Sequence, residues 1–151
     1  MNKSLIRAGL CAAALLFVSG CAATVELAAP MQDDAAKTFV APDGKANIYV
    51  TREDQFKGSA ILFQIVVDGR VKGGIAPGTY HLISVDPGLH SVSVTTAENQ
   101  STEHVDAAAG QNYFFEVKPK MGWAAARAEV VPMSESEGRA AITENALAEG
   151  I

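Results

Sequence analysis

Cysteine is nearly absent from this chain of 151 residues: there are two, Cys11 and Cys21, both close to the N-terminus. Two such residues make no disulfide framework and no cysteine-ligated zinc site, so a folded domain downstream of them must rely on packing. Basic residues are few as well, 12 against 17 acidic, for a formal charge of −5. An acidic surface disfavours nucleic acid and anionic lipid as partners. G-x-S-x-G, H-E-x-x-H, C-x-x-C and a phosphate-cradling glycine loop ahead of a helix are all missing. So are internal repeats and low-complexity segments. The one apolar run, over residues 8–18, is shorter than the roughly 20 residues that cross a bilayer.

What is present at the N-terminus has the layout of an export signal, with Lys3 and Arg7 ahead of that short apolar stretch. It ends in Val18-Ser19-Gly20-Cys21, which resembles the lipobox of bacterial lipoproteins. The resemblance implies that residues 1–20, a signal helix, are removed by a cut between Gly20 and Cys21. It also implies that the Cys21 sulfur carries a diacylglycerol and its new amine an acyl chain such as palmitate. The alternative is an ordinary secretory signal with a cysteine near the cut by chance. Each buried CH₂ contributes about 0.8 kcal/mol, so several acyl chains hold a protein on a membrane durably. Cys21 is therefore read as an anchor to a lipid bilayer, and no other cofactor is expected. Ala22 follows it where aspartate would favour the inner membrane, so the expected location is the periplasmic face of the outer membrane. Cys11 leaves with the signal, and so do two positive charges, which takes the mature charge to −7 (10 basic against 17 acidic).

The remaining 131 residues (151 − 20) suffice for one domain. Residues 21–45 read as the lipidated N-terminus and a tether, punctuated by Pro30, Pro42 and Asp43-Gly44, with a helical turn near 33–39 that packs Phe39 on the domain as an option. A coil of that length spans about 27 Å. Residues 46–133 alternate as short β-type runs over 47–52, 60–67, 70–75, 80–85, 89–96, 112–118 and 125–131, with a weak one at 102–106. Asp68-Gly69 is a strong hairpin signal, because both turn positions favour φ > 0. Asp86-Pro87-Gly88 reads as a second reversal, which as a hairpin would set His81 against Ser93 and His90 against Ser84. Ser134-x-x-Glu137 has capping-box spacing, so residues 134–151 are expected to form a helical tail, with the helix over 135–148 and weakened by Gly138. The pattern predicts an all-β fold, an antiparallel β-sandwich of about seven strands with a short C-terminal helix.

Few residues carry candidate chemistry. His81, His90 and His104 lack the cross-strand adjacency that a metal site needs, so no metal is expected. Glu103 and Asp106 fall on opposite strand faces, and Glu98 lies in a loop, which leaves no paired carboxylates for acid–base work. Gly69-x-x-x-Gly73-Gly74 sits inside a hairpin and is accounted for by turns and close packing. Trp123, the one tryptophan, follows Pro119 and Gly122 in a loop, where it is either a lid on the core, the favoured reading, or an exposed stacking platform. Trp123 and Tyr113 are the candidate ligand contacts, and no catalytic residue is assigned.

In order along the chain stand Tyr49 and Arg52, Asp68-Gly69, Gly78-Thr79-Tyr80, Pro87-Gly88-Leu89-His90 and Gly110-Gln111-Asn112-Tyr113-Phe114. This series, over about residues 37–131, resembles the bacterial lipoproteins grouped as domain of unknown function 2846. The resemblance implies a sandwich like the transthyretin-like and PEGA-type domains and a binding or scaffold role in the cell envelope, with no enzymatic activity. The leading expectation is thus a noncatalytic module that contacts an unknown envelope protein, through exposed edge strands among other routes. The alternative is a lipoprotein that binds glycan or peptidoglycan. An envelope hydrolase is the third.

Overall fold

The computed structural model describes residues 23–55 and 58–150; the expected signal helix, Gly20 and Cys21 lie outside them. The alternating runs form two packed sheets. One contains β1 (Ala46–Arg52), β4 (Thr79–Val85), β7 (Asn112–Lys120), β8 (Arg127–Met133) and the short β9 (Ala146–Leu147), in the order β8-β7-β1-β4-β9. The other contains β2 (Phe63–Val67), β3 (Arg70–Ile75), β5 (Gly88–Thr95) and β6 (Gln100–Ala107), in the order β3-β2-β5-β6. The β1–β7 and β4–β9 pairs are parallel and the other pairs antiparallel. The all-β sandwich expected from the pattern is what forms. Ile48, Val50, Phe63, Ile65, Val92, Val94, Phe115 and Val117 fill the space between the sheets, and burial of such side chains is the main favourable term for folding.

A third layer covers the outside of the five-stranded sheet. Every residue of β1 is buried, so that strand needs cover on both faces. Tyr49, Tyr80 and Phe114 point outward there, and Ala36 of α1 (Pro30–Ala36), Phe39 and Ile142 of α2 (Glu135–Glu144) close over them. Tyr49 and Phe114 stack with ring centroids 5.1 Å apart. The Tyr49 hydroxyl donates to the Ala36 carbonyl at 2.8 Å, and the Tyr80 hydroxyl donates to Asp33 at 2.7 Å. From Ala23 onward, the segment expected as a tether is therefore part of the fold. Its α1 and Phe39 are held by aromatic side chains that would otherwise face water, and Leu27 bridges Ala148.

Two further expectations change. Strands β4 and β5 belong to different sheets, so Asp86-Pro87-Gly88 is an arch across the sandwich rather than a hairpin. His81 consequently lies opposite Val50, and His90 opposite Val105. The cause is that Tyr80 and Leu82 fill one side of β4 while Ile83 and Val85 fill the other, a pattern that suits an inner strand between β1 and β9. Helix α2 has the expected capping box at Ser134 and Glu137 but stops at Glu144. There the Asn145 side chain donates to the Thr51 hydroxyl at 2.7 Å and to the Arg52 carbonyl at 3.2 Å, which pulls the chain into β9. Gly138 does more than weaken this helix: a Cβ there would overlap the Phe114 ring, so α2 can lie on the sheet only with glycine at that position.

The strand directions sort the connections into two ends. At the Arg52 end lie residues 53–62, 76–78, 96–99 and 121–126; at the Asp68 end lie 68–69, 86–87 and 108–111. The Asp68-Gly69 hairpin forms as expected, with φ of 50° and 73°.

Candidate functional site

At the Arg52 end, two charged side chains each hold a loop by its backbone. Arg52 is 1% exposed, and among the described residues no carboxylate forms an ion pair with it. Its guanidinium donates to the carbonyls of Ile61 (2.6 Å), Gly58 (2.7 Å) and Ile75 (3.3 Å), and lies 4.6 Å from the Phe63 ring centroid. Burial lowers its pKa to about 10, which still leaves it charged at neutral pH. Glu98 is the counterpart of opposite sign. Its carboxylate accepts the backbone N–H groups of Trp123 (3.0 Å), Ala124 and Ala125 (2.5 Å), and the Arg127 guanidinium at 3.0 Å. Those donors, the Ala125 amide foremost, hold its pKa down at about 2. A Cβ at Gly122 would collide with the Ala125 carbonyl, so the tight turn that gathers these amides requires glycine.

The product is a fixed loop that presents Trp123 to solvent at 95% exposure, which overturns the core-lid reading. Glu98 occupies the amides of residues 123–125, and the side chains that face outward from the loop are apolar. Met121 is 81% exposed, and Ile61 and Leu62 of the Arg52-held loop are also exposed. Gly58, Ile61, Met121 and Trp123 border one open groove of about 460 Å³, with Lys120, which pairs with Glu129 at 3.0 Å, at its margin. Residues 121–126 and 58–62 contain no charged side chain, although Glu53 and Asp54 stand at the same end of the sandwich. The described chain also enters here. The Ala23 amide donates to the Ser59 carbonyl at 2.7 Å, and Val25 and Leu62 both lie over Gly74.

The other candidate residues are dispersed. Tyr113 begins β7 while Trp123 lies beyond its far end, so the two cannot contact one small ligand. The Tyr113 hydroxyl accepts the Ala108 amide at 2.9 Å. His81 is buried, its Nε2 is 2.9 Å from the Gly74 carbonyl, and burial lowers its pKa. The ring packs so closely on Gly73 that a Cβ there would meet it at 2.8 Å, in keeping with a close-packing role for that glycine. His90 lies between Asp68 (Nδ1, 2.7 Å) and the Asp86 carbonyl (Nε2, 2.7 Å). Two acceptors require both ring nitrogens to carry protons, and the hydrogen bond to Asp68 first of all raises its pKa. Asp68 also accepts the Ser91 amide at 2.9 Å, and Lys45 pairs with Asp86 at 2.7 Å. Glu103 and His104 border a shallow recess with Tyr113, but as consecutive strand residues they project to opposite faces. No group of three or more His, Cys, Asp or Glu able to hold a metal occurs among the described residues, and no helix among them is long and apolar enough to cross a membrane.

Edge strands offer less than expected. Along the β6–β8 seam, Asn99 bonds both the amide and the carbonyl of Ala128, and Ser101 accepts the Val130 amide. On β3, the Gly74 and Ile75 carbonyls are taken by His81 and Arg52. Sequence reasoning passed over Met121, Ile61, Leu62 and the part played by Glu98. The available signal was an uncharged Met-Gly-Trp-Ala-Ala-Ala loop in an acidic chain.

Comparison with known proteins agrees with the ordered residue series. The chain is 31% identical over 138 residues to an uncharacterized protein of Haemophilus influenzae (strain ATCC 51907 / DSM 11121 / KW20 / Rd), covering 91% of this chain and 80% of that protein. That coverage reaches past the strands into the flanking helical segments. The family model described as protein of unknown function (DUF2846) matches residues 42–130, from the approach to β1 into β8. Within that span Arg52, Asp68, Tyr80, His90 and Tyr113 each have a structural partner described above, and the chain belongs to the DUF2846 family.

Proposed function

We propose that this protein is a lipid-anchored envelope lipoprotein whose sandwich is a noncatalytic module that binds or supports another envelope protein. The observation that carries the reading is the use of the polar family residues. Arg52, Asp68, Tyr80 and His90 of that series, and His81 beside it, are engaged in internal hydrogen bonds rather than turned to a cleft; Glu53 and Glu116 do border one together, and the second pairs with Lys118 at 3.2 Å. The Val18-Ser19-Gly20-Cys21 sequence supports a diacylglycerol anchor on Cys21, and Ala22 supports the periplasmic face of the outer membrane. For a protein partner, the open surface is the outer face of the four-stranded sheet. It carries Gln64, Ser91, Thr95, Thr102 and His104, and among the described residues no helix covers it as α1 and α2 cover the other sheet. The glycan reading has weaker support, since Trp123 and Tyr113 are far apart and Lys120, the one other hydrogen-bonding side chain among the described residues that borders the Trp123 groove, is paired with Glu129.

The test is in-cell photo-crosslinking, with photoreactive residues at Thr102 and His104, in the wild-type chain and in Cys21→Ala. The reading predicts a reproducible protein adduct in the wild type. In the variant it predicts uncut precursor without acyl label and without the adduct. A normally cut, membrane-bound Cys21→Ala protein would contradict the anchor, and adducts to glycan alone would replace the protein partner.

A further inference from the structure

Residues 58–62 and 121–126 form an exposed apolar platform at the point where the described chain begins. Trp123, Met121, Ile61 and Leu62 are its exposed large side chains. Platform and entry point are tied together, because the Ser59 carbonyl accepts the Ala23 amide at 2.7 Å and Leu62 shares the space over Gly74 with Val25. Only Ala22 separates Ala23 from Cys21. A fully extended chain advances at most about 3.3–3.6 Å per residue, so the two-residue reach from Ala23 to an anchor on Cys21 is at most roughly 7 Å. We propose that this platform rests on the bilayer that holds the anchor, with Trp123 at headgroup depth, so that the Arg52 end faces the membrane and the Asp68 end faces away. The proposal rests on the reading of Cys21 as lipidated.

The chemistry suits a lipid surface. A tryptophan places an apolar ring and one N–H donor at the boundary between acyl chains and headgroups, where both are accommodated. The loop that carries it has no charged side chain to desolvate between Met121 and Ala126, and its amides at 123–125 are already bonded to Glu98. Fixing the loop before contact reduces the ordering cost that a flexible loop would incur on binding. Lys120 and Arg127 flank the loop but are paired with Glu129 and Glu98, and Glu53, Asp54 and the net negative charge of the chain make attraction to anionic headgroups an unsuitable driving force. The contact is therefore apolar and proceeds on uncharged lipid.

Trp123 is the one tryptophan of the chain, so its emission reports on the platform directly. The experiment uses lipidated protein purified from membranes and reconstituted into phosphatidylcholine vesicles with and without bromine-labelled acyl chains. Flotation of the vesicles is scored in parallel. A second protein, Trp123→Phe with Leu89→Trp, moves the reporter to an exposed position at the Asp68 end, since Leu89 is 72% exposed. The expected result is that both proteins float, that Trp123 emission shifts to the blue and loses intensity to the brominated lipid, and that the Leu89→Trp reporter does neither. If both float and Trp123 is not quenched, or both reporters are quenched alike, the platform does not rest on the membrane although the anchor stands. If the wild type fails to float, the anchor reading falls and this proposal with it.

Discussion

At the Asp68 end of the sandwich the turns carry charge and join one another through side chains, with Asp68, His90, Asp86 and Lys45 in a connected series. At the Arg52 end the charges of Arg52 and Glu98 are turned onto loop backbone, and residues 58–62 and 121–126 present an apolar exterior beside Glu53 and Asp54. Both ends close the same two sheets, so the difference is not required by the fold alone. It shows how a chain can conceal polar backbone to display an apolar surface: a cation takes the carbonyls of one loop and an anion takes the amides of the other.

The largest expected effect comes from removing the cation. Arg52→Met keeps much of the side-chain volume but leaves the Gly58, Ile61 and Ile75 carbonyls without their donor, which should cost about 2–3 kcal/mol in urea unfolding of the mature domain. An unchanged midpoint would mean that the 58–61 loop does not depend on Arg52. Next comes the Asp68 end. The raised pKa of His90 makes its contribution complete below the unfolded value of 6.5, and that contribution is lost as pH rises through the higher folded value. Asp68 has a lowered pKa, so its own contribution is present above 3.8 and lost as pH falls through the folded value. The pair is thus strongest between these pH values. His90→Gln should cost about 0.5–1 kcal/mol at pH 6 and almost nothing at pH 9, measured by denaturant titration at both. Equal losses at the two pH values would deny the imidazolium.

Glu98→Gln should act locally: amide hydrogen exchange at residues 123–125 accelerates while the global midpoint moves little. In the unsubstituted protein those amides should stay protected at pH 3, since a carboxylate with a pKa of about 2 is still ionised there. Loss of protection near the ordinary glutamate pKa of 4.5 would show that the loop is not held as described. The smallest effect belongs to Trp123→Ala, within about 0.5 kcal/mol of the wild type in solution, because the ring is 95% exposed. A larger loss would return Trp123 to a role in the core.

Local chemistry made some of this legible in the sequence. Asp68-Gly69 fixed a hairpin because two successive left-handed positions admit little else, and Ser134 with Glu137 marked the start of α2. Asp86-Pro87-Gly88 marked a reversal correctly but not its plane, because turn residues say that a chain turns and not which sheet it enters next. The covering layer was legible only in part, in the optional turn near 33–39 that packs Phe39 and in the helix from 135, although its signal was present: Tyr49, Tyr80, Leu82 and Phe114 make the second face of the inner strands apolar, and such a face requires a lid. The short run 30–36, with Pro30 at its first turn, was too brief for helical periodicity to give more than that optional turn. Of the candidate site, Trp123 was visible by its rarity. Glu98 was not, because three of its partners are backbone amides, which leave no side-chain pattern, and the fourth, Arg127, is distant in sequence.

The most direct test of the central claim is the distance between the folded domain and the membrane. Neutron reflectometry of the lipidated protein on a supported phosphatidylcholine bilayer measures it as the thickness of any water layer between headgroups and protein. With residues from Ala23 onward packed on the sandwich and the Arg52 end facing the lipid, protein density should begin at the headgroups with no intervening water layer. A hydrated gap of about 27 Å, the span of a flexible 24-residue tether, would contradict the account.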